Sequence, residues 1–252
     1  MADVDDLLRA IAIWSLSGVE SALNAGVSPN AVFGQETSSI ISVACLHAGP
    51  HRDIEKEEVV KALLRAGANP NPESGTPPLT YSASTGNASI TKILLDAGAD
   101  AQAIGRHGWT ALHSACCSSA LCVELLLAAG ADSVVNVQMQ WGMNGPFFYP
   151  LDLVVKSIVE EPGPMPQIER ALPLLLRAGA IFPTPYYSGL LSAGDAGDPL
   201  LYYLDRVLAA GGFRRYEQRH INALAATFGP KLGLPPEIAR VVVTFYAHCG
   251  FY

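Results

Sequence analysis

A chain of 252 residues, half of them hydrophobic and only 15% charged, has the apolar surface for a sizeable core and is not a disordered polymer. Its net charge of −7 and scattered basic residues, apart from the pair Arg214 and Arg215, do not favour phosphate backbones, so nucleic acid is not an expected partner. Five cysteines, odd in number and without a CxxC pair, suit reduced thiols and a cytoplasmic or nuclear setting.

The N-terminal "MADVDDLLRAIAIWSL" is acidic and lacks the basic start and cleavage site of a secretory signal. No apolar run reaches the roughly 18 to 20 residues that cross a bilayer, so no membrane insertion is expected. The segment reads as helix with an acidic cap, closing on "LNAGVSPN" (Leu23 to Asn30).

That closing phrase returns as "LLRAGANPN" (Leu63 to Asn71), "LLDAGADAQ" (Leu94 to Gln102), "LLAAGADSV" (Leu126 to Val134), "LLRAGAIF" (Leu175 to Phe182) and "VLAAGGF" (Val207 to Phe213). Its glycines, Gly26, Gly67, Gly98, Gly130, Gly179 and Gly211, recur at intervals of which three lie near a 33-residue period and two carry insertions. Leucines three or four apart make one apolar helix face, and the following glycine supplies the left-handed residue that ends the helix. A second helical segment precedes each phrase, opened by a Thr or Ser cap and often a Pro in the first turn. The unit is therefore turn, helix, turn, helix.

The fourth unit carries "GWTALHSA" (Gly108 to Ala115) before its leucines. It resembles the ankyrin repeat family, whose motif reads T-P-L-H-x-A, with Ala111 in place of the proline. The third unit has Thr80 where the His would stand, the fifth has Asp152, the second holds an added loop between its helices, and the sixth keeps only the Thr-Pro start. The resemblance implies an all-α repeat fold, an ankyrin-type helix-turn-helix solenoid with projecting turns or hairpins, spanning residues 1–213 in about six degenerate units. Residues 214–252 are expected to form a helical C-terminal cap or an F-box/SOCS-like tail. The resemblance further implies that Thr110 and His113 hold neighbouring turns together and perform no chemistry.

Catalytic look-alikes do not assemble. His51-Arg52-Asp53 lacks the other parts of a kinase site. Cys116 and Cys117, adjacent on a helix, point about 100 degrees apart, a poor start for tetrahedral zinc. Asp53, Glu55, Glu57 and Glu58, interleaved with Arg52 and Lys56, read as a solvated helix start. No catalytic residue, metal, cofactor or small-molecule substrate is expected.

What remains is surface for a protein partner. In the fourth unit the freely varying turn positions hold Arg106, His107 and Trp109. Trp109 suits an interface anchor, or else packs on the adjacent turn. The segment from Ser133 to Pro150 crowds Met139, Gln140, Trp141, Met143, Phe147, Phe148 and Tyr149 into one loop. It either folds back on the stack or presents an apolar patch. A second insert, Val159 to Glu169, reads as exposed spacing. In the tail, "RRYEQRHINALAATFG" is expected to be a helix with Ile221, Leu224, Ala225 and Phe228 on one face. "LPPEIARVVVTF" (Leu234 to Phe245) is similar to the opening helix of F-box and SOCS-box segments. The expected function is a non-catalytic protein-interaction module, an adaptor or assembly subunit. The alternative is a substrate-recognition adaptor of a ubiquitin ligase that recruits the enzyme through residues 234–245.

Overall fold

The computed structural model describes residues 3–33, 38–46, 53–73, 75–140, 145–160, 170–181 and 213–233, with residues 206–207, 209–210, 235–236 and 238 between and beyond them. The chain forms two compact units, Met1–Ile181 and Phe182–Tyr252.

In the first unit the described helices come in five consecutive pairs. These are α1 (Val4–Ala12) with α2 (Leu16–Asn24), α3 (Ile40–Leu46) with α4 (Asp53–Arg65), α5 (Pro78–Ser84) with α6 (Ala88–Asp96), α7 (Ala111–Cys116) with α8 (Ala120–Ala128), and α9 (Pro150–Glu160) with α10 (Ala171–Arg177). First helices pack on first helices, α1 on α3, then α5, α7 and α9; second helices do the same from α2 through α4, α6 and α8 to α10. The result is two helical layers with one continuous core between them. Leu7, Ile11, Ile41, Leu63, Leu79, Leu94, Leu112, Leu126 and Leu175 are fully buried in it. A helix of six to thirteen residues is marginal alone, so each pair depends on its neighbours, as in other repeat stacks.

The repeated glycine does what the sequence predicts. Gly26, Gly67, Gly98, Gly130 and Gly179 all take a left-handed φ between +85° and +95°. A Cβ at Gly26, Gly67, Gly98 or Gly179 would meet nothing within 4 Å. The requirement there is one of backbone conformation and not of space.

Between pairs the chain projects as short turns and hairpins. Strand β1 (Val32–Phe33) pairs antiparallel with β2 (Ser38–Ser39), and β3 (Met139–Gln140) with β4 (Phe147–Phe148). Between them lies a narrower turn, closed by the bridge of Ile104 with Thr110 around a 3₁₀ turn at Arg106–Gly108. The segment from Ser133 to Pro150, expected as a loop, thus holds the end of a 3₁₀ turn at Ala131–Val134 and a hairpin. Two-residue strands are too short to print an alternation in the sequence.

A second correction concerns Lys56. The expected solvated helix start holds for Glu55, which is exposed, and for Glu58, which pairs with Lys61 at 2.9 Å and Arg65 at 3.4 Å. Lys56 itself is 1% exposed, its Nζ 5.8 Å from the centre of the Trp14 ring. Packing of α4 on α2 turns this side of the helix inward, and the indole face receives the ammonium.

The second unit holds α11 (Phe213–Phe228) and a 3₁₀ turn at Pro230–Leu232. The expected tail helix is present, with Ile221 and Ala225 buried and Leu224 packed against them. Most of the expected sixth repeat with Gly211, residues 161–169 of the second insert, and most of the expected segment 234–245 lie outside the described residues.

Candidate protein-interaction surface

The interaction edge starts from how each first helix begins. Thr110 is the N-cap of α7, and its Oγ1 accepts from the backbone N–H of His113 at 3.3 Å. His113 Nδ1 lies 2.8 Å from Thr110 Oγ1 and 3.3 Å from Thr110 N. The Thr110 amide can only donate, so Nδ1 is the acceptor and the ring proton is assigned to Nε2.

His113 is completely buried. Burial takes its pKa down to about 4, against the smaller opposing influence of the Phe148 and Val137 backbone. Nε2 has no hydrogen bond of good geometry among the described residues. The ring is a neutral structural block at physiological pH, as its family role implies, and not a poised base.

The same third helical position carries different chemistry in the other pairs. In α1, Asp6 N–H donates to Asp3 Oδ1 at 2.9 Å while Asp3 N–H donates to Asp6 Oδ2 at 3.2 Å. Before α3, Ser39 Oγ donates to Ser42 Oγ at 2.8 Å, and Ser42 Oγ donates onward to the Thr76 carbonyl of the next unit at 2.9 Å. In α9, Asp152 Oδ2 accepts from Tyr149 N–H at 2.8 Å. Asp6, His113 and Asp152 are therefore alternative solutions to one problem, the exposed amides at a helix start, whereas Ser42 uses the same position to reach the next unit. In α5 the cap is Pro77, which has no amide to satisfy, and Thr80 makes no such side-chain bond.

The turns between pairs are joined by a bridge that sequence reasoning missed. Asn30 donates from Nδ2 to the Gly67 carbonyl at 2.8 Å and accepts the Asn69 N–H on Oδ1 at 2.7 Å. Asn71 repeats both bonds with Gly98 and Asp100, at 2.8 and 2.7 Å. Asn136 repeats them with Gly179 and Ile181, at 3.0 and 2.7 Å. A side chain two residues earlier, Ser28 or Asn69, accepts the asparagine's own N–H and fixes its aim. The signal was present: Asn30 and Asn71 each stand four residues after a repeat glycine.

On this framework the expected contact residues separate. Arg106 and His107 fall in the 3₁₀ turn of the fourth unit, with His107 exposed and at a left-handed φ of +57°. Trp109 is half-buried; its indole N–H donates to Ser114 Oγ at 2.7 Å and its ring stacks on His113 with centroids 6.0 Å apart. A Cβ at Gly108 would collide with the Gln138 carbonyl oxygen, so the fourth turn is pressed against the fifth hairpin. There Met139 faces Phe148 across the strands and both are buried, while Gln140 faces Phe147. Phe148 is corrected out of the contact set, because the pleat points it into the core and leaves it 3% exposed. Phe147, on the opposite side, is 58% exposed, and Ile104 on the neighbouring turn is 60% exposed. Gln140 is half-buried, its Nε2 3.5 Å from the Gly145 carbonyl. Trp141 and Met143 lie outside the described residues.

Among the described residues no group of three or more His, Cys, Asp or Glu is placed to hold a metal, and no helix is long and apolar enough to cross a membrane. Cys45, Cys116 and Cys122 are buried. Burial raises the Cys45 thiol to about 12 and the Cys116 thiol well above its ordinary value, which makes both poor nucleophiles.

Comparison with known proteins agrees with this architecture. A family model for ankyrin repeats in three copies matches residues 51–137. A stretch of 113 residues, 42% of the chain, is 35% identical to the E3 ubiquitin-protein ligase KEG of Arabidopsis thaliana. The chain covers 7% of that protein's length. Paired helices in two layers, left-handed glycines between them, the Thr110–His113 cap and the family match together identify ankyrin repeats over residues 51–137, within a stack of the same architecture.

Proposed function

We propose that the chain is a non-catalytic adaptor or assembly subunit that binds a partner protein along its turn edge. Ankyrin repeats are in general protein-interaction modules. The observation that carries the reading is a pair of large apolar side chains, Ile104 and Phe147, held exposed on adjoining units whose backbones are pinned by Gly108 and the Met139–Phe148 pairing. Apolar side chains on a rigid base lose little freedom on binding, which favours their use as anchors. His107 at the intervening tip adds a polar contact. The buried thiols are consistent with a cytoplasmic or nuclear setting.

The test is quantitative affinity purification with the full chain beside an I104D/F147D variant. Loss of a defined partner set from a variant that still melts cooperatively supports the reading. Retention of every partner overturns it.

A second reading rests on the stretch shared with a ubiquitin ligase, in which the chain selects substrates for such an enzyme and recruits it through residues 234–245. A chain ending at Gly233 that stays folded and loses ligase components from the purified set supports this reading. Absence of ligase components with the full chain, where a known ligase adaptor recovers them, rejects it.

A further inference from the structure

A second surface lies on α11. Residues 213–233 hold four of the chain's 16 basic side chains, Arg214, Arg215, Arg219 and Lys231, but one of its 23 acidic ones, Glu217. In a chain of net charge −7 this segment is locally +3. Its apolar side is occupied by Ile221, Leu224 and Ala225. Elsewhere on the helix Arg215, Gln218 and Arg219 are exposed and Asn222 is half-buried, with Gln218 Nε2 donating to Asn222 Oδ1 at 3.2 Å.

The charges on this surface work against the helix that carries them. Arg215 and Arg219, one turn apart, repel each other. Arg214 and Arg215 stand in the first turn, at the positive end of the helix dipole, and no acid stands there to offset them. Neither Arg215 nor Arg219 forms an ion pair among the described residues. Charge that opposes its own helix and lacks an internal partner is available to a partner outside it.

We propose that Arg215, Gln218, Arg219 and Asn222 form a docking stripe for a short acidic peptide segment of a partner protein. Four residues of helix place the two arginine Cα atoms about 6 Å apart. Each guanidinium takes one carboxylate through two parallel hydrogen bonds. The matching carboxylates sit two residues apart on an extended peptide, about 6.6 Å, or one turn apart on a helix. The Gln218 and Asn222 amides carry both donors and acceptors, which a peptide backbone uses and a polyphosphate uses only in part. The net charge of −7 on the chain as a whole also disfavours a long polyanion more than a short peptide.

The test is fluorescence anisotropy on the full chain at about 150 mM salt. One probe is a labelled peptide of about a dozen residues with Glu at alternate positions, and the other is an oligothymidylate of equal charge. Saturable peptide binding, weakened at least about tenfold in R215E and in R215Q/R219Q, is the expected result. R215K/R219K should fall between, because lysine lacks the planar fork. R215E places an acid in the first turn and creates an attractive pair with Arg219, so its thermal melting should be unchanged or raised while binding falls. Loss of binding through unfolding would instead lower both. Absent peptide binding, binding indifferent to these substitutions, or equal affinity for the oligonucleotide overturns the proposal. The I104D/F147D variant should keep this binding, so failure of the stripe and failure of the turn edge are separable.

Discussion

His113 is the residue on which an enzymatic reading of the sequence would have rested, and its surroundings remove that role. Folding holds it neutral by burial, with a pKa of about 4 against an ordinary 6.5. The neutral ring therefore contributes stability that is fully present above pH 6.5 and is lost as pH falls toward 4. A difference of that size corresponds to about 3 kcal/mol at the limit. Urea unfolding at intervals from pH 7.5 to 4 should show stability falling through this window. His113→Gln should show a shallower fall over the same range, and equal slopes would mean that other groups set the acid sensitivity. At neutral pH the substitution should cost about 1 to 3 kcal/mol, since it disturbs the cap and its packing with Trp109. The resemblance predicted a fold-holding histidine. It did not predict that Asp6 and Asp152 act in its place, because a motif read by residue type hides a position defined by hydrogen-bond geometry.

At the scale of elements, the helix pairs were legible because leucine spacing and a terminal glycine are local signals, and Gly26 through Gly179 satisfy them with left-handed backbone. The β3–β4 hairpin was not legible, since the inward and outward roles of Phe148 and Phe147 depend on pairing across residues far apart in sequence. The asparagine bridges were missed for a related reason: they span 27 to 45 residues. Asn71 makes two such bonds to the following unit. Asn71→Ala should therefore cost about 1 to 2 kcal/mol. Chemical denaturation would measure it, with Asn69→Ala as a comparison that removes only the local support of the Asn71 amide. An effect of Asn71→Ala no larger than that of Asn69→Ala would show that the bridge adds nothing beyond the turn itself.

For the molecule as a whole, composition allowed a large core and the repeat period organised it, since stacked pairs touch mainly their neighbours. The projecting turns were legible in the sequence, but not which side chains they expose: Trp109 is tied to Ser114 and His113, Phe148 turns inward, and Ile104, unremarked in the sequence, stands out. The basic stripe on α11 was visible as Arg214 and Arg215 alone, because the exposure of Arg219 beside them appears only once the helix is built.

The row of asparagines also has a gap. Where Asn30, Asn71 and Asn136 tie successive turns, the corresponding residue between the third and fourth units is Gln102, one methylene longer, and it makes no such bridge among the described residues, although its Nε2 lies 3.4 Å from where a Gly130 Cβ would stand. Along the turn edge this leaves a zip with one tooth missing, so these two turns should part more readily than the bridged ones, while Ser118 and Thr91 still tie the helices of the two units. Amide exchange at Gly130 and Asp132 should be faster than at Gly98 and Asp100. Gln102→Asn should slow it and raise the melting temperature by about 2 to 4 °C, the shift expected of roughly 1 kcal/mol in a chain of this size. Such a seam would let the turns on its two sides adjust separately to the contours of whatever they grip, while the helices behind them stay stiff.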